Sequence, residues 1–167
     1  DNVVNIRDFS WRYRSSEARA LNEASLTVRQ GECGVVTGAS GCGKSTLVSV
    51  MNGLIPHFHE GEYAGEVKVC GIDVLQGQTY EIACRVGSVF QDPRSQFFAT
   101  TTSDEVAFGC ENLGFPREKT TQRMNAAFSA LAADDLRDRS IFSLSSGQKQ
   151  KIAIASALAV DPELMVM

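Results

Sequence analysis

The stretch from Cys33 to Asn52 reads CGVVTGASGCGKSTLVSVMN. Inside it, Gly38-Ala39-Ser40-Gly41-Cys42-Gly43-Lys44-Ser45 matches the pattern G-x-x-x-x-G-K-[ST] at every fixed position. Val35-Val36-Thr37, just before, is a short β-branched run and predicts a buried strand. Just after, Leu47, Val50 and Met51 follow a helical spacing, and Gly53 stands where a helix C-terminus favours glycine. A strand, a glycine loop and a helix in this order form a cradle for phosphate. The glycines let the backbone curl so that successive N–H groups point inward, and the helix N-terminus adds its positive dipole end. Lys44 is then a point charge for the β and γ phosphates, and the Ser45 hydroxyl a ligand for Mg²⁺. The expected ligand is a nucleoside triphosphate with its metal.

The composition suits that reading. A chain of 167 residues is enough for one domain and buries about 70% of its unfolded surface. Apolar residues make up 43% and charged residues 22%, as in ordinary soluble globular proteins. The net charge of −4 argues against a dedicated nucleic-acid binder, and no nucleic-acid partner is expected. No apolar run has the length of a membrane span; the longest, from Ile152 to Val160, is interrupted by Ser156. The N-terminus shows no signal-peptide pattern. The five cysteines form no C-x-x-C pair and are odd in number, so reduced, mostly buried thiols of a cytosolic protein are expected.

Upstream of the glycine loop, Val3 to Tyr13 and Leu26 to Val28 read as strands, and Gln30-Gly31-Glu32 as a turn. Trp11 and Tyr13 are either packed aromatics of a strand or rings placed to stack on a purine. His57 and His59 lie in a loop from Ile55 to Gly65; with no third ligand nearby in sequence, a solvated loop is favoured over a metal pair. Glu66 to Val69 is a short strand. Arg85 to Phe90 reads as a buried strand that Gln91-Asp92-Pro93 terminates, because proline stops the ladder. Gln91, at the strand mouth, either reaches a metal or water or simply ends the strand. From Pro93 to Phe142 the pattern is helical. Thr102 to Glu105 reads as a capping box opening a helix to Asn112. A second helix carries Met124, Ala127, Phe128 and Leu131 on one face. Phe97 and Phe98 are helical-core residues or an exposed partner patch. Ser145 and Gln148 form another capping box, opening an apolar helix to Val160; Asp161-Pro162 ends it, and Glu163 to Met167 begins a strand.

In this order the motifs resemble the nucleotide-binding domain of ABC ATPases over the whole chain. GASGCGKST at 38–46 is similar to the Walker A loop, Gln91 in VFQDP to the Q-loop glutamine, and LSSGQ at 144–148 to the signature LSGGQ, from which Ser146 departs. Tyr13 falls where the family places its adenine-stacking aromatic. NGLIPHFHEGEYAGEV at 52–67 and FQDPRSQFFATTTSDEVAFGCENLG at 90–114 resemble the energy-coupling-factor subgroup, whose ATPases drive vitamin and metal-ion uptake. The resemblance implies an α/β fold, a P-loop NTPase (RecA-like) core with N-terminal antiparallel strands and a helical subdomain insert. The core parts are then 1–91 and 144–167, and the insert about 92–143.

By the same resemblance, Tyr13, Gly38, Ala39, Ser40, Gly41, Cys42, Gly43, Lys44, Ser45 and Thr46 bind ATP. Lys44 and Gln91 are catalytic, and Ser45 and Gln91 hold Mg²⁺. Leu144, Ser145, Ser146, Gly147 and Gln148 act on the ATP of a second ABC ATPase domain, in a homo- or heterodimer. The intact protein is expected to hydrolyse ATP at the cytoplasmic face of the membrane, as a peripheral component. Its partners are a transmembrane coupling subunit and a substrate-binding membrane subunit, and the cargo is a vitamin or metal ion. The alternatives are a soluble non-transport ABC ATPase or a regulatory, hydrolysis-deficient domain, which Ser146 would suit. In the family, the strand begun by Leu164 to Met167 ends in the Walker B aspartate and the water-activating glutamate, so the domain is expected to be incomplete at Met167. Losing a general base costs about 10²–10⁴ in rate. Residues 1–167 alone are therefore expected to release phosphate from ATP only at background; Lys44-dependent turnover in a phosphate-release assay would locate the base inside them.

Overall fold

A computed structural model describes residues 1–92 and 95–167. The chain divides into two compact units, Asp1–Val86 with Val166, and Gly87–Met165 with Met167.

The first unit is built on an antiparallel sheet of β1 (Asn2–Tyr13), β2 (Leu21–Arg29), β3 (Gly61–Val69) and β4 (Ile72–Asp73), ordered β2-β1-β3-β4. The loose alternation of VVNIRDFSWRY has a local cause. Val4 and Ile6 are buried, pairing with Val28 and Leu26 on one side and Val69 and Val67 on the other. Asp8 then takes a positive φ of 46°, and the register shifts between Ile6 and Phe9. This bulge shifts the phase, so that burial resumes at Phe9 and continues through Ser10 to Trp11. The Asp8 N–H, taken out of the ladder, donates to Ser25 Oγ at 2.9 Å. Two helices complete the unit, α1 (Lys44–Met51) and α2 (Thr79–Ala83). As the sequence predicts, Val50 and Met51 are buried, and Gly53 follows α1 with φ 70°.

The strand expected before the glycine loop does not form. Residues 33–38 carry no strand assignment, and Val35 is 82% exposed. A β-branched run becomes a strand only where a neighbouring backbone satisfies its N–H and C=O groups, and no described strand pairs with it. The cysteines also depart from expectation: Cys33, Cys42 and Cys84 are exposed, and only Cys70 and Cys110 are buried. Cys33 lies in the same unpaired run, and Cys42 on a loop that must face solvent to bind anything.

The short strands β5 (Val86–Ser88) and β6 (Leu164–Val166) pair, and all of their residues but Val86 and Val166 belong to the second unit. β5 is shorter than expected, and Phe90 is exposed. Three helices follow, α3 (Thr102–Asn112), α4 (Arg117–Ala130) and α5 (Ser146–Ala159). Their core holds Val106, Cys110, Phe128, Leu136, Ile152 and Ala155. α5 packs on α3 and α4, its alanines allowing close approach. Cys110 Sγ donates to the Ala159 carbonyl at 3.3 Å. Burial pushes this thiol up, against the pull of the Arg123 and Lys119 charges.

The capping box expected at Thr102 and Glu105 does not form, and the N-cap of α3 lies one residue earlier. Thr101 is the N-cap: its Oγ1 accepts from Asp104 N at 3.3 Å and donates to Asp104 Oδ2 at 2.7 Å. Thr102 turns inward instead. Its buried Oγ1 donates to the Leu136 carbonyl at 2.6 Å and accepts from Arg139 N at 3.2 Å. Thr102→Val keeps the shape but leaves both backbone groups unpaired. It is expected to cost about 1–3 kcal/mol, read as a drop in denaturation midpoint at unchanged m-value; an unchanged midpoint would mean that water or a shifted loop satisfies them.

Candidate functional site

The glycine loop is shaped by close backbone approach. Gly43 is the N-cap of α1 at φ 98°, in the left-handed region. A Cβ there would stand 2.4 Å from the Ala20 carbonyl oxygen and 3.0 Å from the Leu21 side chain. Only glycine lets the loop pass this close to the start of β2. From here α1 begins, with Leu47 N donating to the Gly43 carbonyl at 2.9 Å. Lys44 curls back over the loop. Its Nζ donates to the carbonyls of Gly38 at 2.9 Å and Ala39 at 2.7 Å, and lies 3.6 Å from Cys42 Sγ. An ammonium group is thus held over a glycine loop at a helix N-terminus, the arrangement that attracts a polyanion.

Tyr13 is brought to this loop from β1. Its hydroxyl is 3.2 Å from Thr46 Oγ1, on the first turn of α1, and Thr46 is buried. The ring is set edge-on against Trp11 (5.6 Å) and His59 (5.9 Å). Trp11, fully buried and stacked on Tyr63, belongs to the packing. Beside Tyr13 opens a cleft of about 790 Å³ lined by Arg12, Arg14 and residues 56–62. Its rim charges are paired, Arg12 with Glu62 and Arg14 with Glu60, each at 2.7 Å. His57 Nε2 donates to the Val74 carbonyl at 2.9 Å.

A Mg²⁺ ion would ask for few groups from the protein. Mg²⁺ keeps waters and phosphate oxygens and takes few protein ligands. Ser45 offers one hydroxyl at the start of α1, and the described residues contain no cluster of three His, Cys, Asp or Glu side chains that could hold a metal.

The second unit holds the other candidate residues. Gln91 is exposed just after β5. At the start of α5 the capping box forms as expected: Ser145 Oγ accepts from Gln148 N at 3.3 Å, and Gln148 Oε1 from Ser145 N at 2.9 Å. Ser145, Ser146 and Gly147 are exposed, while Leu144 is buried and anchors the turn. Phe97 packs into the helical core. Phe98 is 76% exposed and stacks on Phe108 of α3, with ring centroids 5.1 Å apart and planes 13° from parallel.

Two side chains have roles that their spacing does not announce. Gln96 mimics a strand: its Oε1 accepts from Phe90 N at 3.1 Å and its Nε2 donates to the Ser88 carbonyl at 3.2 Å. Glu105 is buried, and its Oε2 accepts from Phe98 N at 2.8 Å and Ala99 N at 2.7 Å. The only sequence signal for Glu105 is an acidic residue in a first helical turn, which suggests a cap.

A glycine loop with a helix-borne lysine, beside an antiparallel sheet and followed by a helical unit, defines a P-loop nucleotide-binding protein. The sequence pattern of the ABC transporter family matches residues 21–167, and the chain belongs to that family. It is 43% identical over 165 residues to a putative ABC transporter ATP-binding protein of Treponema denticola, covering 99% of this chain and 34% of that protein. To a putative HMP/thiamine import ATP-binding protein of Bacillus subtilis it is 39% identical over 168 residues, covering 100% and 31%. The chain thus spans about a third of the length of these curated relatives. Among solved structures it is similar to cbiO1 of Clostridium perfringens, part of the ABC transporter complex cbiONQ. There the TM-score is 0.87 at 26% identity, over 99% of this chain and 64% of that one. The fold also matches the ATP-binding cassette MJ0796, solved as a dimer in a post-hydrolysis state with ADP and Pi, at a TM-score of 0.79 and 24% identity. The fold is therefore the mixed α/β fold of ABC ATPases, as the sequence implies. No helix of the described residues is long and apolar enough to cross a membrane.

Gly43→Ala tests the loop directly. The strained φ and the clash with the Ala20 carbonyl are expected to cost at least about 1–2 kcal/mol and to remove nucleotide binding. Calorimetric titration with Mg-ATP checks this, and wild-type affinity in the alanine variant would contradict the close approach.

Proposed function

We propose that this chain is the ATP-binding part of a transport ATPase, and that the intact protein couples ATP hydrolysis to micronutrient uptake through membrane subunits. The observation that carries the reading is the Lys44 ammonium gathered over the glycine loop at the N-terminus of α1. Phosphate oxygens would replace the Gly38 and Ala39 carbonyls as its partners. Tyr13, fixed through Thr46, would offer its ring to the adenine. Ser45 and Gln91 would hold Mg²⁺, which neutralises charge on the phosphates during transfer.

The Ser145 cap and the free N–H groups at the start of α5 would face the γ-phosphate bound by a second copy or a related domain. The uptake assignment is supported by the resemblance of 52–67 and 90–114 to energy-coupling-factor ATPases, by the cbiO1 likeness and by the thiamine-import relative. The Phe98–Phe108 pair is the candidate docking surface for a membrane subunit. A regulatory domain is the second reading, favoured by Ser146 at the position of the signature glycine.

Mg-ATP at about 100 times Kd should stabilise the protein by ~2.7 kcal/mol, a rise in Tm of roughly 5–10 °C for a domain of this size. Lys44→Ala should abolish most of that rise; equal shifts would reject the site. In the full-length protein, Ser146→Gly should leave monomer affinity for ATP unchanged and strengthen ATP-dependent dimerisation, measured by sedimentation with a nucleotide that resists hydrolysis. Weaker dimerisation would make the serine a positive contact.

A further inference from the structure

The second unit contains a buried carboxylate that the proposed chemistry does not use. Glu105 is 3% exposed. One of its oxygens receives two backbone N–H donors, from Phe98 and Ala99. Those amides belong to the segment that presents the exposed Phe98 ring. That ring stacks on Phe108, one turn after Glu105 on α3. Glu105 therefore holds both halves of the aromatic pair: the segment of Phe98 through its carboxylate, and Phe108 through the helix they share. Charge-assisted bonds to a carboxylate are the strong kind, and burial keeps water from competing for them.

The other side of the same residue is tied to α5. The Glu105 carbonyl accepts from Ser156 Oγ at 3.2 Å, sharing that hydroxyl with the Ile152 carbonyl at 3.0 Å. Along the same seam Gly109 brings α3 close to Val160, 2.9 Å from where a Cβ would stand, and Cys110 Sγ donates to the Ala159 carbonyl. α3 and α5 thus meet at two levels, Glu105 with Ser156 and Gly109–Cys110 with Ala159–Val160. The N-terminus of α5 is the Ser145–Gln148 cap.

We propose that Glu105 is a positioning residue for coupling. It fixes the Phe98–Phe108 surface to α3, and through α3 to α5, so that a partner seated on the aromatic pair and the ATP-facing cap are displaced together. This rests on the reading of that surface as the docking site for a membrane subunit. Gln at this position keeps an oxygen that can accept both N–H bonds; Ala keeps none.

The test uses the full-length protein, free and in its assembled transporter, with Mg-ATP as the probe. Phosphate release in the assembly relative to the free subunit gives the coupling ratio. Glu105→Ala is expected to lower that ratio about 10-fold, within the usual range of coupling between sites. The loss should appear in kcat with KM for ATP unchanged, and Glu105→Gln should restore it. Hydrogen exchange should speed up at the Phe98 and Ala99 amides of Glu105→Ala while α3 and α5 stay protected. A wild-type ratio in Glu105→Ala, or an equal loss in Glu105→Gln, would overturn the proposal. So would a Glu105→Ala protein that fails to fold, since the residue would then serve stability alone. Phe98→Ala separates the two readings. If it uncouples while Glu105→Ala does not, only the role of Glu105 falls; if it couples normally, the docking surface falls and the proposal with it.

Discussion

The passage of Gly43 beneath the Ala20 carbonyl is the constraint on which the phosphate loop depends. At 2.4 Å from that oxygen a Cβ has no room, and at φ 98° it would be strained in any case. The approach links the loop to the start of β2 and sets the point where α1 begins. Lys44 is the first residue of α1 and so inherits its position from this contact. Its ammonium can then reach back to the carbonyls of residues five and six positions earlier. Tyr13 is placed by the same helix, since Thr46 lies on the first turn of α1.

The bulge at Asp8 has a parallel role in the sheet. Without it, a strict alternation would send Phe9 and Trp11 to the face opposite Val4 and Ile6. With it, one continuous strand buries all four and delivers Tyr13, half-buried, next to the loop. One residue of irregular backbone thus connects core packing to the presentation of the candidate purine-stacking ring. Gly65 on β3 accommodates the bulge: at φ 95°, a Cβ there would stand 2.5 Å from the Asp8 carbonyl oxygen.

In the helical unit, small residues set the geometry. Gly109 and Ala159 allow α3 and α5 to approach until backbone groups accept from Ser156 and Cys110. The thiol of Cys110 has its acceptor across the seam, whereas the Ser156 hydroxyl shares its proton between the Glu105 carbonyl and the Ile152 carbonyl of its own helix. The capping box at Ser145 and Gln148 depends on none of this. Its two bonds close within four residues, so the turn preceding α5 forms from local chemistry and the seam only orients it.

The sequence by itself determined whatever closes over a few residues: the glycine loop and its lysine, the N-terminus of α5, the C-terminus of α1 at Gly53, and the amphipathic stripe of α4. The family followed from the order of these local motifs. Tertiary structure alone decided the rest. It moved the α3 cap from Thr102 to Thr101, because Thr102 is claimed by Leu136, 34 residues away. It turned Glu105 from a presumed cap into a buried acceptor, joined Tyr13 to Thr46 across 33 residues, and gave Gln96 the role of a strand. It also left Val35 and Val36 exposed, where their composition predicts a buried strand. The physical reason is the same in each case. Spacing encodes which bonds a segment can make with itself, whereas a side chain with several possible partners takes the one that packing brings within hydrogen-bond reach.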